Sequence, residues 1–529
     1  MNIQHLSRFF GRFAPVAGLL VFAGCASSTP PVQEGGAAVI TPALARTYVY
    51  SLAADSMLGR STPSPGLDAA ARYIAGEFKA SGLLPVNGSY LHDVGLGMVS
   101  LGADNQLKVT RDGVERSYTI KSQFTPFDMT SNSEATGGIV FAGYGITAPE
   151  FAYDDYAGID VKGKVVFVLR HEPGEQDETS KFKGLEATEY SNVSEKVRIA
   201  LDHGAAAVLV ATDPLNHGLL TPRGFPWPSL SRLIPDDALP VTIVGDETIK
   251  IPVVHVGEEV ITQLFGSVDE LRSLQRSIDE TLLPRSFEIS GSAAWVKTST
   301  SVKAVPANNV LGFLEGRDPI LKSQIVVVGA HYDHVGFTHP QGASQDSIFN
   351  GADDNASGTS AMMAAARAFG TLRERPRRSV LFIAFAGEEK GLLGSRAYTL
   401  NPALPLENTV AMINLDMIGR NSVDSLFLVG AVDCPELAEI TRQENSSVGF
   451  TFDYDNSVTG RSDHASFVRK GVPAIAFFSG FHPDYHKVVD NPEFVDVVKV
   501  ARVAQLAFRT ALHIANDDRT YSIQKPQNP

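Results

Sequence analysis

Residues 324–334 read QIVVVGAHYDH and decide the fold. The apolar run from Gln324 to Ala330 within this stretch is typical of a strand that is buried on both faces of a sheet. Three runs of the same kind follow it, at Ser379–Ala386, Val410–Leu415 and Val472–Phe478. The alanine-rich segment Gly358–Phe369 lies between the first two runs and is predicted to be a helix. This alternation of strand and helix predicts an α/β domain with a mixed, largely parallel sheet flanked by helices.

Composition limits the possible functions. The chain has 529 residues, of which 43% are hydrophobic and 20% charged, as in an ordinary globular protein of two to four domains. The formal net charge is −14, and an acidic surface repels phosphate backbones, so we expect no nucleic-acid partner. Two cysteines, Cys25 and Cys434, are too few for a disulfide scaffold.

The first 25 residues are typical of an export signal. Arg8 and Arg12 precede an apolar stretch, 13–22, that is too short to remain as a membrane span. The following Phe22-Ala23-Gly24-Cys25 resembles the lipobox of bacterial lipoproteins, which implies that Cys25 is acylated after removal of residues 1–24. The alternative is plain secretion with cleavage among the small residues. If Cys25 is acylated, residues 25–42 would tether the protein to the periplasmic or outer side of a bacterial membrane, with no other membrane contact expected.

The remainder of the chain divides into three predicted parts. Residues 43–134 contain two helical segments and several short alternating strands, and they form the N-terminal part of the main domain. Residues 135–290 form a smaller inserted α/β unit. Residues 291–529 form the main part of the domain. The inserted unit is predicted from strands at 164–169, 205–210 and 251–256 and from helices at 196–203 and 258–265.

Residues that could bind metal follow the predicted strands. In open α/β sheets, ligands bind beyond the carboxyl ends of the strands. Five segments bring imidazoles and carboxylates to this edge: His331–His334, Asp353–Asp354, Glu388–Glu389, Asp416 and Asp484–His486. Any one of them alone could be a helix cap or a solvated loop residue. Together they supply the nitrogen and oxygen ligands that zinc prefers, and bound cations would relieve the repulsion between adjacent carboxylates.

Six motifs in this region resemble peptidase family M28, the co-catalytic zinc peptidases. They are Gly-Ala-His-Tyr-Asp-His from 329, Gly-Ala-Asp-Asp-Asn-Ala-Ser-Gly from 351, Ala-Gly-Glu-Glu from 386, Asn-Leu-Asp-Met-Ile-Gly-Arg from 414, Gly-Arg-Ser-Asp-His from 460, and Tyr-His at 485–486. Met57-Leu58-Gly59-Arg60 is similar to the opening segment of the family. The inserted unit, with Asp160-Val161-Lys162-Gly163-Lys164, resembles the protease-associated domain found in such enzymes.

The resemblance implies a zinc-exopeptidase fold with two zinc ions. One zinc would be held by His331 and Asp416 and the other by Glu389 and His486, with Asp354 bridging the two. Asp353 is the nearest competitor for the bridge, but Asp354 stands four residues before Gly358, as the bridging aspartate of the family does. The family often has a cis peptide bond after this aspartate, which here would join Asp354 to Asn355.

Local chemistry suggests roles for the neighbouring residues. On an extended chain Asp333 shares a face with His331 and could accept its free ring N–H. Glu388 is the expected general base, since it is adjacent to Glu389 but points differently. Tyr485 could hydrogen-bond the developing oxyanion, or it could simply line the cleft.

Three further residues near the motifs have no predicted catalytic role. His334 lies on the opposite face of an extended chain from His331 and is interpreted as structural. Asp463 and His464 could line the pocket or belong to a structural loop network.

We expect a zinc-dependent exopeptidase that removes N-terminal residues from peptides by metal-activated water. A carboxypeptidase or dipeptidase on the same fold is an alternative, as is a single-zinc acyltransferase similar to glutaminyl cyclases. A non-enzymatic receptor is a third possibility, but such relatives usually lose ligands and none is missing here. The sequence does not indicate the oligomeric state.

Changing Cys25 to alanine is expected to release the protein from membranes and to leave peptidase activity intact. Stable anchoring needs more than one acyl chain, and all of them would be attached at this residue. Fractionation of cells that express the two proteins, with a salt wash of the membranes, measures the effect. A variant that remains in the washed membranes would place the anchor elsewhere.

Overall fold

The computed structural model describes residues 35–177, 179–182, 184, 188–219, 240–245, 249–338, 346–454 and 460–524. The predicted signal segment, Cys25 and the first part of the tether lie outside these ranges. Within them, no helix is both long enough and apolar enough to cross a lipid bilayer.

The described α-helices are distributed along the whole chain. They are α1 (Pro42–Leu52), α2 (Pro65–Ala80), α3 (Val193–Asp202), α4 (Glu258–Phe265), α5 (Val268–Thr281), α6 (Gly358–Gly370), α7 (Leu393–Leu400), α8 (Pro435–Asn445), α9 (His464–Val468) and α10 (Val497–Asn516).

The described strands alternate with these helices only in part. The strands in the first half of the chain are β1 (Leu91–Asp93), β2 (Leu96–Leu101), β3 (Gln106–Arg111), β4 (Val114–Tyr118), β5 (Phe124–Pro126), β6 (Glu134–Phe141), β7 (Thr147–Ala148), β8 (Tyr153–Asp154), β9 (Val165–Leu169), β10 (Ala207–Ala211), β11 (Val241–Ile243) and β12 (Val253–Val256). Those that follow are β13 (Phe287–Lys297), β14 (Thr300–Val305), β15 (Asn308–Leu314), β16 (Ile325–His331), β17 (Ser379–Phe385), β18 (Thr409–Leu415), β19 (Ser425–Val429), β20 (Thr451–Asp453) and β21 (Ala474–Phe478).

The first sheet has eight strands in the order β1-β15-β17-β16-β18-β21-β19-β20. Its centre is parallel, because β16 pairs with β17 and β18 in the same direction, and β18 pairs likewise with β21. The strands β15 and β19 join this centre in the antiparallel direction. The predicted mixed, largely parallel α/β sheet is thereby confirmed.

Helices cover both faces of this sheet. Alternate residues of a strand point to opposite faces, so Val326 and Val328 of β16 enter one apolar cluster and Ile325 and Val327 the other. The larger cluster packs the sheet against α1, α2, α6, α8 and α10. The smaller one packs it against α7 and α9. This burial on both faces explains why the strand sequences are continuously apolar rather than alternating.

Close contact between α6 and the sheet positions the loop that precedes this helix. A Cβ atom added to Gly358 would lie 2.3 Å from the carbonyl oxygen of Leu415, the last residue of β18. Only glycine therefore permits the helix to begin directly against the strand end. The Gly358 N–H donates to the side-chain oxygen of Asn355 at 2.9 Å, which completes the first turn.

The second sheet, in the order β4-β3-β13-β6-β9-β10-β12-β5, contains a parallel centre of β6, β9, β10 and β12. This sheet includes strands from outside residues 135–290, the range predicted for the insert. The strands β3, β4 and β5 precede residue 135, and β13 continues to Lys297. The physical reason is long-range antiparallel pairing, in which β3 binds β13 from Gln106 to Arg111.

A small third sheet connects the two larger units. Strand β11 pairs with β2, and β2 pairs with β14, all in the antiparallel direction. The proline- and leucine-rich sequence of residues 214–240 predicts a surface loop, and most of it, residues 220–239, lies outside the described ranges.

Arg378 fixes the end of α10 to the edge of the first sheet. Its fully buried guanidinium donates to the carbonyl oxygens of Ile514 and Arg519 at 2.8 and 2.7 Å, and to Gln324 Oε1 at 2.7 Å. Arg377 is adjacent, but its side chain is 32% exposed and forms an ion pair with Asp318.

Changing Arg378 to methionine is expected to lower the stability of the domain built on the first sheet by roughly 1–3 kcal/mol for each buried acceptor left unpaired. The matched change of Arg377 to methionine removes an exposed ion pair and should cost about 1 kcal/mol or less. Thermal unfolding of both variants measures the difference. Equal destabilisation by the two changes would contradict this account of Arg378.

Candidate metal centre

The carboxyl ends of neighbouring parallel strands bring the predicted ligands together. His331 is the last residue of β16, Glu388 and Glu389 follow β17, and Asp416 follows β18. Because these three strands are adjacent and parallel, their ends lie at one edge of the sheet. The loops that carry Asp354 and His486 reach the same edge.

The first group of potential metal ligands consists of His331, Asp354 and Asp416. The Nε2 atom of His331 lies 3.2 Å from Asp416 Oδ1 and 3.4 Å from Asp354 Oδ1. His331 is buried, with 1% of its surface exposed. One imidazole and two carboxylates converging in this way form a donor set suited to zinc.

The second group consists of His334, Asp354, Glu389 and His486. The Nε2 atom of His486 lies 2.9 Å from Glu389 Oε2 and 3.0 Å from Asp354 Oδ2. His486 has a positive φ of 53°, which turns its ring towards the two carboxylates. This set also offers the nitrogen and oxygen donors that a divalent ion requires.

Asp354 belongs to both groups and presents a different oxygen to each. Its Oδ1 faces His331 and its Oδ2 faces His486, as expected of a carboxylate that bridges two ions. The peptide bond between Asp354 and Asn355 is cis, as the family resemblance implies. Asp353 instead accepts the N–H of Gly419 through Oδ1 at 2.6 Å, and its Oδ2 lies 3.3 Å from His482 Nε2.

His334 lies closer to the potential metal ligands than the sequence indicated. Its Nδ1 is 2.8 Å from Glu389 Oε1 and 3.7 Å from Asp354 Oδ2. The ring is therefore placed to orient the Glu389 carboxylate or to join the second group directly. Gly351 makes room for it, since an added Cβ there would lie 2.4 Å from the imidazole.

Asp333 approaches His331, but its carbonyl group is the nearer acceptor. The Nδ1 atom of His331 is 3.3 Å from the carbonyl oxygen of Asp333 and 3.6 Å from its carboxylate Oδ1. That carboxylate accepts the N–H of Glu388 at 3.1 Å and the hydroxyl of Thr62 at 3.0 Å. Asp333 therefore connects the loop after β16 with the loop after β17.

Arg60 holds two of the ligand loops through their backbone. Its fully buried guanidinium donates to the carbonyl oxygens of Tyr332, Asn350 and Gly351 at 2.8, 2.7 and 2.9 Å. These carbonyls flank His331 on one side and Asp354 on the other. This contact gives a structural reason for an arginine in the segment Met57–Arg60.

Asp490 holds the Asp354 loop from the other side. Its carboxylate accepts the backbone N–H groups of both Asp353 and Asp354, at 3.1 to 3.2 Å. Asp490 is fully buried and follows His486 by four residues, so one turn of chain supplies both a ligand and its support. Sequence reasoning assigned no role to this residue.

Glu388 lies at the mouth of the centre. Its Oε2 is 4.0 Å from His331 Nε2, and its side chain lines an adjoining cleft. Burial raises the pKa of Glu388 well above its ordinary value, and the nearby carboxylates of Asp416 and Glu389 add to the effect, whereas His331 opposes it. Glu388 is thus a carboxylate with enhanced proton affinity beside the ligands.

The remaining predicted residues are distributed around this cleft. Tyr485 lines it, and its ring stacks on that of His486 at a centroid distance of 3.8 Å. Burial raises the pKa of Tyr485 well above its ordinary value, so its hydroxyl stays protonated. His464 also lines the cleft, and Asp463 is fully buried at the start of α9.

Negative charge is in excess at this centre. The two groups and their neighbours include five carboxylates, Asp333, Asp354, Glu388, Glu389 and Asp416, but only three imidazoles, His331, His334 and His486. Burial lowers the pKa of His486, but the Glu389 and Asp354 carboxylates outweigh it and raise the pKa to about 11. A site with this field and these donors fits divalent cations.

Family comparisons agree with this geometry. Residues 309–511 match the model of peptidase family M28, and residues 131–264 match that of the PA domain. The first match covers the whole edge that carries both ligand groups. The second covers the parallel centre of the second sheet.

Individual relatives are similar to parts of the chain. A probable leucine aminopeptidase of Arthroderma benhamiae is 30% identical over 207 residues, which are 37% of this chain and 56% of the relative. Aminopeptidase YwaD of Bacillus subtilis is 31% identical over 213 residues, 38% of this chain and 43% of the relative. The chain thus spans about half the length of the curated relatives it matches.

A solved structure extends the fold comparison to almost the full chain. The aminopeptidase from Aneurinibacillus sp. strain AM-1 superposes with a TM-score of 0.50 at 20% identity, covering 94% of this chain and 99% of the other. This likeness concerns the fold. In the present chain, elements before and after the second sheet join the same first sheet, since β1 pairs with β15. Residues 309–511 therefore resemble peptidase family M28, and residues 131–264, which resemble the PA domain, lie between elements of the first sheet.

Proposed function

We propose that the protein is a zinc-dependent aminopeptidase whose centre holds two zinc ions. The observation that carries the proposal is the pair of ligand groups that share Asp354, with Glu388 and Tyr485 facing an adjoining cleft. His331 and Asp416 would hold one zinc, and Glu389 and His486 the other. Bound zinc would polarise the peptide carbonyl and make water acidic enough to act as a nucleophile at neutral pH.

Glu388 would act as the general base. Its raised pKa and its place on the cleft wall suit a group that accepts a proton from the attacking water. The same carboxyl group would then return that proton to the amine of the leaving peptide. The bond from the Glu388 N–H to Asp333 keeps the loop in place while the proton moves.

Tyr485 would stabilise the negative charge that develops on the carbonyl oxygen. A hydroxyl that stays protonated can donate a hydrogen bond to an oxyanion. Stacking on His486 and an edge contact with Phe481, at a centroid distance of 5.0 Å, restrict the ring. The donor is therefore positioned before the substrate arrives.

The cleft favours an apolar N-terminal side chain. Its wall includes the side chains of Met417, Val429, Ala476, Phe477, Phe478 and Phe481. Burying an apolar side chain against them would contribute about 1.5–3 kcal/mol. The names of two relatives, probable leucine aminopeptidases, agree with such a preference.

Peptides outside the cytoplasm are the proposed substrates, and the lipid at Cys25 is the proposed link to the membrane. The activity is tested with peptides that begin with leucine, with their N-acetylated forms and with their C-terminal amides. We expect hydrolysis of the free and amidated peptides and none of the acetylated ones. Hydrolysis that depends on a free C-terminus would establish a carboxypeptidase instead.

Changing Glu388 to glutamine is expected to reduce kcat by about 10²–10⁴-fold or more while both zinc ions stay bound. Glutamine keeps the size of the side chain but cannot accept the proton, so KM should change little. The matched change of Glu389 to glutamine should instead weaken one zinc. Zinc content and peptide hydrolysis of both variants are measured. Loss of zinc from the Glu388 variant alone would show that Glu388 is the zinc ligand and Glu389 the general base.

Changing Asp354 to alanine is expected to remove more zinc than changing either His331 or His486 to alanine. The carboxylate faces both ligand groups, whereas each histidine faces one. The adjacent change of Asp353 to asparagine is the control. It should retain zinc, because the amide oxygen can still accept the Gly419 N–H. Metal analysis of the purified proteins would contradict the bridge if the Asp353 variant lost more zinc than the Asp354 variant.

A further inference from the structure

A second cluster of imidazoles and carboxylates lies in the PA domain, away from the peptidase centre. Strands β9 and β10 are parallel neighbours, and their last residues, Leu169 and Ala211, are paired. His171 and Asp213 each follow two residues later, so the two side chains meet at the carboxyl edge of the second sheet. This is the same topological position that the peptidase centre occupies in the first sheet.

Each of these residues is followed by a second potential ligand four positions later. Glu175 follows His171, and His217 follows Asp213 on a turn closed by the His217 N–H to the Asp213 carbonyl oxygen at 3.2 Å. Four residues from two loops are thereby brought together, and one nitrogen or oxygen atom from each lies within 4.8 Å of all the others.

The distances show that the four side chains converge on a common point. His171 Nδ1 lies 2.6 Å from Asp213 Oδ1 and 3.7 Å from Glu175 Oε2. His217 Nε2 lies 2.6 Å from Glu175 Oε1 and 3.7 Å from Asp213 Oδ2. Each imidazole therefore faces both carboxylates. Atoms bound to one zinc at about 2.0–2.2 Å lie roughly 3.3–3.6 Å apart, so small side-chain shifts would close the site.

Asp213 gives an independent indication that a ligand belongs here. It is fully buried, and its Oδ2, which points into the cluster, has no hydrogen-bond partner among the described residues. A buried carboxylate oxygen without a partner is costly, and a cation would offset the cost.

The charges around the cluster also favour a cation over two protonated imidazoles. The rings of His171 and His217 stack at a centroid distance of 4.1 Å and would repel each other if both were charged. A single divalent ion bound to neutral rings would avoid this repulsion and would balance the charge of the two carboxylates.

Two cations oppose metal binding to some degree. Arg170 and Lys196 both influence the cluster, and the Lys196 ammonium donates to the carbonyl oxygen of Tyr144 at 2.7 Å. The carboxylate of Glu172 lies beside Lys196 and offsets part of its charge. The two carboxylates of the cluster therefore remain available to an incoming ion.

We propose that His171, Glu175, Asp213 and His217 bind one divalent transition-metal ion, with zinc as the natural probe. Two nitrogen and two oxygen donors from the protein complete a tetrahedral shell and leave no position for substrate, which is the pattern of a structural site. The ion would connect the loop after β9 with the loop after β10. The site does not depend on the proposed peptidase activity.

The number of bound zinc ions tests this proposal. The full chain is freed of metal with a chelator, reloaded with zinc, dialysed and analysed for zinc per chain. Changing both His171 to asparagine and His217 to glutamine is expected to lower the count by one relative to the wild type. Asparagine is chosen because His171 has a positive φ of 53°, which asparagine tolerates. The expected difference of one zinc ion per chain between the wild type and the double variant does not depend on the number of ions that the peptidase centre binds.

A matched control distinguishes this site from adventitious binding to histidine. His203 lies in the same domain, where its ring stacks on Tyr156 at 4.3 Å, outside the cluster. Its change to glutamine should leave the zinc count unchanged. Peptidase activity of the double variant, measured in parallel, should stay within about twofold of the wild type, since the altered residues belong to the other sheet.

Two results would overturn the proposal. The first is an equal zinc count in the wild type and the double variant. The second is a loss of zinc from the His203 variant that matches the loss from the double variant. If the double variant fails to fold, a variant with Glu175 changed to glutamine replaces it. Glutamine has nearly the same shape as glutamate, and the change still removes a charged ligand. An unchanged count in that folded variant would equally contradict the site.

Discussion

Excess negative charge at the carboxyl edge of the first sheet is the constraint on which the arrangement of the surrounding loops depends. Asp354, Glu388 and Asp416 lie 3.2–4.0 Å from the buried His331, and Glu389 shares the second ligand group with Asp354. Carboxylates at such distances in a buried site repel strongly, and divalent cations are the counter-charge that their geometry fits. The supporting groups are arranged accordingly. The side chain of Arg60 donates to carbonyl oxygens of the ligand loops and of Leu52 in α1, so its charge fixes their backbone and leaves the ligand carboxylates free.

Much of this centre could be predicted from the sequence because it repeats one local pattern. Each ligand follows a short, continuously apolar strand, and such strands are predicted by their composition alone. The strands predicted at 324–330, 379–386, 410–415 and 472–478 differ from the observed bounds by no more than two residues at either end. The order of the motifs then indicated the family. Asp354 and Asp353 could be separated only by analogy, whereas the structure separates them by the direction of their carboxylates.

The functional residues that could not be predicted from the sequence either bind backbone groups or lie in loops beyond the ends of strands. Asp490 binds two amide groups more than 130 positions away, and a lone aspartate in a loop carries no pattern that would indicate this. His334 was assigned to the opposite face from His331 by strand alternation. However, β16 ends at His331, so the alternation no longer applies and the ring turns back towards Glu389. The extent of the second sheet was underestimated for a related reason. Alternation predicted strands between residues 90 and 127, but the pairing of β3 with β13 spans about 180 residues and leaves no local signal.

Both larger sheets place potential metal ligands at the same topological position, but the two sites are proposed to have different roles. In both, the loops after adjacent parallel strands carry imidazoles and carboxylates to one edge. At the first sheet one carboxylate serves two ligand groups, and a cleft reaches Glu388, so a reactant can approach. At the second sheet four side chains from two loops converge on one point, and Asp213 is fully buried among them. An ion bound there would have a complete set of protein ligands, so it would connect two loops where the ions of the first sheet would act on a substrate. The number of protein ligands around each proposed ion, rather than their chemical type, therefore separates the proposed catalytic centre from the proposed structural one.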